Sequence, residues 1–175
     1  MLCWQAGIAS PPLGVQQCHQ PVVRVAAVVG RLRVCVSVIH TSFHNIVPAA
    51  TGADHDLGLV IPELAGRLQS VAIRVPVPAG SLTDLTCQLA VPVNEEQVNA
   101  AFESAAARGP LSNVLGFTRA PIVSSDVLGD SRSCVLSAVD TAVHAGQVKV
   151  YGWYDNEWAY ANRLLEVAEL VAGVA

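Results

Sequence analysis

Residues 151–163 read YGWYDNEWAYANR, a stretch that holds most of the chain's aromatic side chains. The 175-residue chain has three Trp, three Tyr and three Phe, and five of these nine rings fall between Tyr151 and Tyr160. The pattern predicts a strand over residues 147–155 that leads directly into a helix beginning at Asn156. This junction between the last strand and the last helix is therefore the first feature that the fold must accommodate.

We expect large rings at this junction to bury much apolar area, because the remaining apolar residues are mainly Ala and Val. Trp153 and Trp158 are the rings assigned to the core. The helix is predicted to run over residues 156–174, with one apolar face toward the domain. The residues on or near that face are Trp158, Leu165, Ala168 and Val171 or Ala172.

Further strands are predicted upstream of the junction. Residues 71–78 and 80–91 read as two strands around a Pro-Ala-Gly turn, as a hairpin or a closely related pair. Residues 120–143 mix short strands and turns. Residues 21–39 begin with Pro at a plausible first helical position and later alternate in polarity, which predicts a short helix followed by a strand.

Two more helices are predicted between these strands. Residues 93–109 contain Asn94 as an N-cap, with Gln97 three residues later to complete a capping box. Residues 47–68 read as a turn that feeds a helix, which Pro62 divides. Strands pair mainly with neighbouring strands and helices are added at intervals, so the fold class is α+β.

Composition excludes several classes of protein. The chain is 52% hydrophobic and 14% charged, which argues against disorder, and its net charge of −4 argues against a nucleic-acid partner. Its five cysteines show no C-x-x-C spacing, so we expect no disulfide framework and no metal site, and reduced thiols in the cytoplasm. Arginines interrupt the longest apolar run, residues 22–38, so we expect no membrane span.

Seven segments resemble the catalytic domain of glyceraldehyde-3-phosphate dehydrogenase, in the order of that family. The W-Y-D-N-E sequence at 153–157 resembles the family's C-terminal signature, and together the segments extend from Asn45 to about Val171. The resemblance implies a mixed, largely antiparallel sheet with helices packed on it. The other segments are NIVPAATGA (45–53), VIPELAGRL (60–68), IRVPVP (73–78), LTDLTCQL (82–89), EEQVNAAF (95–102) and APIVSSDVLGD (120–130).

The resemblance implies a phosphorylating, NAD-dependent oxidation of an aldehyde, as in glycolysis. In the family a cysteine thiolate attacks the aldehyde, a histidine acts as base, hydride passes to NAD, and phosphate releases the acyl group. Thr51 and Gly52 match the segment that binds the attacking phosphate, and Arg74 matches a phosphate-binding arginine. Asn156 matches the asparagine that orients the nicotinamide carboxamide, with Tyr160 close by.

The first 45 residues depart from the family pattern. Residues 18–29 are similar to the family helix that follows the nucleophile, which places Cys18 at the second cysteine of S-C-T-T-N-C and Gly14 at the nucleophile. His40 matches the catalytic base. Asn45 follows His40 by five residues, where the family has a long loop that lines the cofactor site and a subunit interface.

Each candidate site residue also has an ordinary structural interpretation. Thr51 and Gly52 are common at the start of any helix. Arg74 lies between apolar residues on a predicted strand, where an arginine is usually an edge or ion-pair residue, with Asp84 or Asp126 as its partner. Their role in binding phosphate is therefore an expectation from the resemblance alone.

The remaining candidates are equally open to a structural role. His40 alone is a strand-end histidine, and Cys18 is a buried small hydrophobe that lies one helical turn from the position a nucleophile needs. Asn156 suits the N-cap of the last helix. Both interpretations of Asn156, helix cap and cofactor contact, stay open on the sequence.

We therefore expect an irregular lead-in over residues 1–20 and a dehydrogenase-like catalytic domain over 21–175, with no counterpart of the NAD-binding Rossmann domain. The isolated chain is expected to be inactive and not to bind NAD alone. The alternative is a non-catalytic remnant that binds phosphate ligands or associates with dehydrogenase subunits. Expected partners are a small phosphorylated substrate or phosphate, and further copies of this chain or of related subunits.

Overall fold

A computed structural model describes residues 21–26 and 45–174 of the chain. The predicted lead-in over residues 1–20, the strand predicted after residue 26, and the candidates Gly14, Cys18 and His40 lie outside these residues. The described elements, in chain order, are β1 (Pro21–Ala26), β2 (Val47–Ala49), α1 (Ala53–Val60), a 3₁₀ turn (Pro62–Leu64), β3 (Ser70–Arg74), β4 (Ser81–Gln88), α2 (Glu95–Ala107), β5 (Leu115–Thr118), a second 3₁₀ turn (Ser124–Val127), β6 (Cys134–His144), β7 (Gln147–Tyr154) and α3 (Asn156–Ala172).

The strands form one seven-stranded sheet in the order β2-β3-β1-β4-β7-β6-β5. β1 runs parallel to β4 and β5 runs parallel to β6, whereas the other neighbouring pairs are antiparallel. The sheet is therefore mixed and largely antiparallel, with helices placed between strands of the sequence. This confirms the predicted α+β class.

The prediction of a helix from Pro21 is wrong, because residues 21–26 form the strand β1. Three of its six residues are valines, whose branched side chains lose rotamer freedom in a helix and suit a pleated strand. β1 also pairs on both edges, antiparallel to β3 and parallel to β4. Pairing on two edges satisfies its backbone polar groups without a helix.

β3 and β4 are both strands as predicted, but they do not form a hairpin with each other. β1 lies between them and pairs with both. β3 and β4 therefore run antiparallel to each other with one strand between them. Gly80, just before β4, has φ +86, and a Cβ there would stand 2.4 Å from the carbonyl oxygen of Ser124. Only glycine fits a turn of this shape against the second 3₁₀ turn.

The core lies between α2 and the β6–β7 face of the sheet. Val98 of α2 packs with Leu136 of β6 and with Val148 and Val150 of β7, and Phe102 and Phe117 pack around them. The predicted capping box is confirmed, because Gln97 N–H donates to Asn94 Oδ1 and Asn94 N–H donates to Gln97 Oε1, both at 2.9 Å. The start of α2 is therefore fixed by local sequence.

A buried polar contact ties α2 to an irregularity in β6. The register between β6 and β7 shifts between Ser137 and Ala142, which marks a bulge. Buried Asn99 of α2 accepts a hydrogen bond from Thr141 Oγ1 at 2.7 Å and donates to the carbonyl of Ala138 at 3.4 Å. The predicted mixture of short strands over 120–143 is thus one 3₁₀ turn followed by a long, bulged strand.

The aromatic junction is less buried than predicted. Tyr154 is 4% exposed and Trp153 is half-buried, but Trp158 is 52% exposed, so its assignment to the core is wrong. Ala159, at 5% exposure, is the buried residue of α3. The predicted inward face is wrong as a whole, since its members are all exposed: Trp158, Leu165, Ala168, Val171 and Ala172.

Gly152, within the opening stretch, has its own packing requirement. It lies in β7 opposite Leu136, and a Cβ on it would stand 2.4 Å from Sγ of Cys134 in β6. Real Cβ atoms do not approach a sulfur this closely, so the strand needs glycine as long as residue 134 carries its thiol. The glycine of YGWYD is therefore set by a neighbouring strand.

We predict that Gly152→Ala lowers the free energy of unfolding by about 1–3 kcal/mol, because it overpacks a filled part of the sheet. Adding Cys134→Ala should return stability to within about 1 kcal/mol of Cys134→Ala alone, since the clashing atom is gone. Urea denaturation of the four chains measures both steps. Equal losses with and without Cys134→Ala would show that the sulfur contact is not the cause.

Candidate functional site

The start of α3 is held by Asp155 rather than by Asn156. Trp158 N–H donates to Asp155 Oδ1 at 3.0 Å, which makes Asp155 the N-cap, and Gly129 N–H donates to Asp155 Oδ2 at 2.9 Å. The interpretation of Asn156 as the N-cap is therefore wrong. Asp155 still has extended backbone geometry, at φ −91 and ψ 105, and Asn156 is the first residue with helical geometry. The N-cap is therefore Asp155, one residue before the predicted cap.

Asn156 consequently occupies the first helical position with an unused side chain. It is half-buried, and its amide makes no hydrogen bond with any residue that the structure describes. Tyr160 follows four residues later, which puts both side chains on one face of α3, and it is 54% exposed. The structure thus brings together the two residues that the resemblance assigns to the cofactor.

The loop held by Asp155 is itself braced by an ion pair. Asp130 and Arg132 are joined by hydrogen bonds of 2.5–3.1 Å. The Arg132 guanidinium holds the pKa of the Asp130 carboxyl below its ordinary value. Arg163 of α3 donates to Ser133 Oγ at 3.1 Å, so the loop contacts α3 at a second point, one turn beyond Ala159.

The segment matched to phosphate binding lies at the N-terminus of α1. Thr51 Oγ1 accepts the N–H of Ala53 at 3.3 Å, and Ser70 Oγ accepts the N–H of Asp54 at 3.2 Å, while Gly52 is the N-cap. Each hydroxyl accepts a backbone N–H and keeps a proton that it can donate elsewhere. The helix end therefore presents hydroxyl donors.

Ser70 was missed by the sequence reasoning. It lies sixteen residues after Asp54, at the start of β3, and the antiparallel pairing of β2 with β3 carries it to the end of β2. Its position follows from sheet register, which no local motif reports. From the sequence, Ser70 could be found only by noticing that it is the first residue of a strand and that this strand pairs with the strand before α1.

Acidic side chains oppose an anion at this helix end. Asp54 and Asp56 lie in the first turn of α1, and His55 Nδ1 lies 3.1 Å from Asp56 Oδ1. Carboxylates already complement the positive end of the helix dipole, and they repel a phosphate at the same place. The start of α1 therefore combines two hydroxyls with two carboxylates, and the carboxylates oppose the binding of an anion there.

Arg74 lies at the other end of the β2–β3 pair. It is paired in register with Val47, whereas Thr51 follows the opposite end of β2. The two Cα atoms are roughly 13 Å apart along the strands, at about 3.3 Å per residue. The two aspartates expected to pair with Arg74 make other contacts. Asp84 Oδ2 lies 2.9 Å from Lys149 Nζ, and Asp126 Oδ2 accepts a hydrogen bond from Val123 N–H at 2.8 Å.

The two cysteines that the structure describes have no features of a nucleophile. Cys87 is half-buried in the core, and burial raises the pKa of its thiol, so it carries less thiolate at neutral pH. Cys134 packs beneath Gly152. Among the residues that the structure describes, no three metal-ligating side chains lie together. Among the described helices, none is both long and apolar enough to span a bilayer.

Comparison with known proteins agrees with the sequence motifs. Residues 32–156 match the family described as glyceraldehyde 3-phosphate dehydrogenase, C-terminal domain. Glyceraldehyde-3-phosphate dehydrogenase 2 of Streptomyces arenae is 53% identical over 127 residues, which cover 73% of this chain and 38% of that protein. Glyceraldehyde-3-phosphate dehydrogenase 1 of Streptomyces avermitilis is 54% identical over 127 residues, which cover 73% of this chain and 38% of that protein. Glyceraldehyde-3-phosphate dehydrogenase of Mycolicibacterium smegmatis is 52% identical over 127 residues, which cover 73% of this chain and 37% of that protein. The match therefore spans little more than a third of the length of each of these relatives.

We predict that Asp155→Ala lowers the free energy of unfolding by about 1–2 kcal/mol, because it removes the cap of α3 and uncouples Gly129. Asn156→Ala is the matched control, one residue away, and should change stability by less than about 0.5 kcal/mol. Thermal unfolding followed by circular dichroism compares the two. A larger loss for Asn156→Ala would restore Asn156 as the cap.

Proposed function

The chain belongs to the glyceraldehyde 3-phosphate dehydrogenase family, whose C-terminal domain it carries, and from this premise we propose that it is the substrate domain of an NAD-dependent oxidoreductase acting on a phosphorylated aldehyde. The proposed domain covers residues 21–175. Phosphate and a phosphorylated aldehyde are its proposed ligands, and related subunits or further copies of this chain are its proposed partners.

The amide of Asn156 is the observation that carries this proposal. Because Asp155 caps α3, Asn156 has no structural hydrogen bond to make within the described residues, yet it is half-buried at a helix start. A side-chain amide offers donors and an acceptor together, which complements the carboxamide of a nicotinamide. Tyr160 supplies an exposed ring on the same face of the helix.

Asn156 and Tyr160 are thus the residues that would hold the cofactor from this side. NAD, when bound, supplies the hydride acceptor for oxidation of the aldehyde. On the substrate side, the hydroxyls of Thr51 and Ser70 donate toward a phosphate oxygen, and Arg74 supplies a guanidinium at the other end of the strand pair. These groups bind and orient; none of them is a nucleophile.

We further propose that this chain does not complete the reaction by itself. The position that matches the family nucleophile is Gly14, and the described cysteines are packed in the sheet. Loss of a nucleophile removes covalent catalysis even when binding geometry persists. The match also spans 38% of the Streptomyces arenae relative, so NAD binding is assigned to a cofactor domain outside this match.

We predict that the chain alone forms no NADH from NAD, phosphate and glyceraldehyde 3-phosphate. A chimera should regain activity if residues 45–175 follow the N-terminal part of the Streptomyces arenae relative, which supplies the nucleophile, the base and the cofactor domain. Within the chimera, Asn156→Ala should raise the KM for NAD about tenfold, because a hydrogen-bonded contact is worth on the order of 1.4 kcal/mol.

Asn162→Ala is the matched control in the chimera. Asn162 lies on α3 and donates to the carbonyl of Trp158 at 2.8 Å, so its loss perturbs the helix without touching the proposed site. NADH absorbance measures all rates. An unchanged KM for NAD in the Asn156→Ala chimera would overturn the cofactor role, and NADH formation by the chain alone would overturn the proposed inactivity.

A second candidate function is phosphate binding without turnover, in which the chain acts as a non-catalytic ligand-binding or subunit-associating protein. The two hydroxyls at the start of α1 favour it, because each accepts a backbone N–H and retains a proton for an anion. The carboxylates of Asp54 and Asp56 weaken it. This function needs neither a nucleophile nor a cofactor domain.

We predict for this second candidate that inorganic phosphate raises the Tm, by an amount equivalent to about 1.4 kcal/mol at ten times the Kd. Thr51→Val should abolish the shift. Thr118→Val is the matched control, since Thr118 Oγ1 accepts the N–H of Ala120 at 3.1 Å in the same local motif, away from α1. Differential scanning fluorimetry in phosphate and in chloride of equal ionic strength decides. No phosphate-specific shift, or equal loss in both variants, would rule this function out.

A further inference from the structure

Asp155 holds the start of α3 with both of its carboxylate oxygens. Oδ1 accepts the N–H of Trp158 at 3.0 Å, and Oδ2 accepts the N–H of Gly129 at 2.9 Å. The backbone carbonyl of Asp155 also accepts the N–H of Ala159 at 3.0 Å, which is the first hydrogen bond of the helix. Asp155 therefore fixes where α3 begins and joins that point to the loop before β6.

Gly129 gives the Asp155 carboxylate a fixed partner. It has φ +78, in the left-handed region, and the next residue, Asp130, donates its N–H to the carbonyl of Val127 at 3.1 Å, which closes a turn. The same loop is joined to α3 a second time, by the hydrogen bond from Arg163 to Ser133. Because the loop holds one oxygen of Asp155, the other oxygen stays directed at the helix N-terminus.

Asn156 is itself well suited to cap the helix. Asparagine ranks with aspartate among the best N-cap residues, and it is less favourable inside a helix because its side chain bonds to nearby backbone groups. If α3 began one residue later, Asn156 would be the N-cap, and its Oδ1 would accept the N–H of Ala159, three residues on. The acceptor of the Asn156 amide would then be used by the helix.

Two features favour the cap at Asp155 over this alternative. The Asp155 carboxylate makes two hydrogen bonds, whereas the amide oxygen of Asn156 would make one as a cap. It also places a negative charge at the positive end of the helix dipole, which a neutral amide does not. With the cap at Asp155, the Asn156 amide has no hydrogen-bond partner within residues 21–26 and 45–174.

We propose that Asp155 is a positioning residue, which keeps the amide of Asn156 available to a ligand by occupying the cap that Asn156 would otherwise take. The exchange of caps is a property of the fold alone. Its consequence for a nicotinamide rests on the proposed function, in which Asn156 contacts the cofactor. Asp155 itself contacts no ligand and acts only through Asn156.

A double-mutant cycle on the chain tests the exchange of caps without any ligand. Asn156→Ala should lower the Tm by less than about 1 °C in the unmodified chain but by about 2–4 °C in the Asp155→Ala chain, where Asn156 has become the cap. Asn162→Ala is the matched control on α3, and it should lower the Tm by the same amount in both chains, because Asn162 bonds only to the carbonyl of Trp158. Thermal unfolding followed by circular dichroism measures all of these chains. Equal losses for Asn156→Ala in both chains would overturn the exchange.

Kinetics of the chimera described above test the consequence for the cofactor. Asp155→Ala should raise the KM for NAD about fivefold and change the KM for phosphate by less than about twofold, because only the Asn156 amide is withdrawn. Asp155→Ser should return the KM for NAD to within about twofold of the unmodified chimera, since serine caps a helix about as well as aspartate. Asp155→Ala should not raise the KM for NAD further in the Asn156→Ala chimera, because both changes remove the same contact.

Failure of the proposed function and failure of this inference give different results. An unchanged KM for NAD in the Asn156→Ala chimera would contradict the proposed function, and the cycle on the chain would still decide the exchange of caps. A KM for NAD that rises with Asn156→Ala but not with Asp155→Ala would overturn the positioning role, and so would additive effects of the two substitutions. A lower kcat for Asp155→Ala with an unchanged KM for NAD would assign Asp155 a structural role only.

Discussion

The carboxylate of Asp155 is the point on which the C-terminal third of the structure depends. One oxygen caps α3 through Trp158 N–H and the other holds Gly129 N–H, so a single side chain joins the last strand, the last helix and the loop before β6. Hydrogen bonds to a charged acceptor are stronger than neutral ones, and both of these acceptor positions are used. Since Asp155 fulfils the capping role, the Asn156 amide at the first helical position has no hydrogen-bond partner within residues 21–26 and 45–174. The candidate cofactor contact is thus a consequence of which neighbour caps the helix.

The aromatic stretch separates into residues that pack and residues that face outward. Tyr154 is buried and Gly152 leaves room for the thiol of Cys134, whereas Trp158 and Tyr160 are about half exposed. Ala159 sits between these exposed rings and makes the close contact with the domain. The small residues Gly152 and Ala159 therefore make the close contacts within the domain, and the rings of Trp158 and Tyr160 lie on the outer surface of α3. Rings on an outer surface indicate binding more than core filling.

Local sequence predicted the elements whose signals are local. Asn94 and Gln97 predict the start of α2, and the pattern over residues 147–155 predicts β7 to within one residue. Register and strand order depend on non-local pairing, so the insertion of β1 between β3 and β4 and the placement of Ser70 beside α1 carried no motif. The error at Asn156 has a different cause. Asp155 and Asn156 are adjacent and both cap helices well, and helix boundaries are uncertain by a residue or two. A one-residue difference then changed the interpretation from a structural role to an available ligand contact.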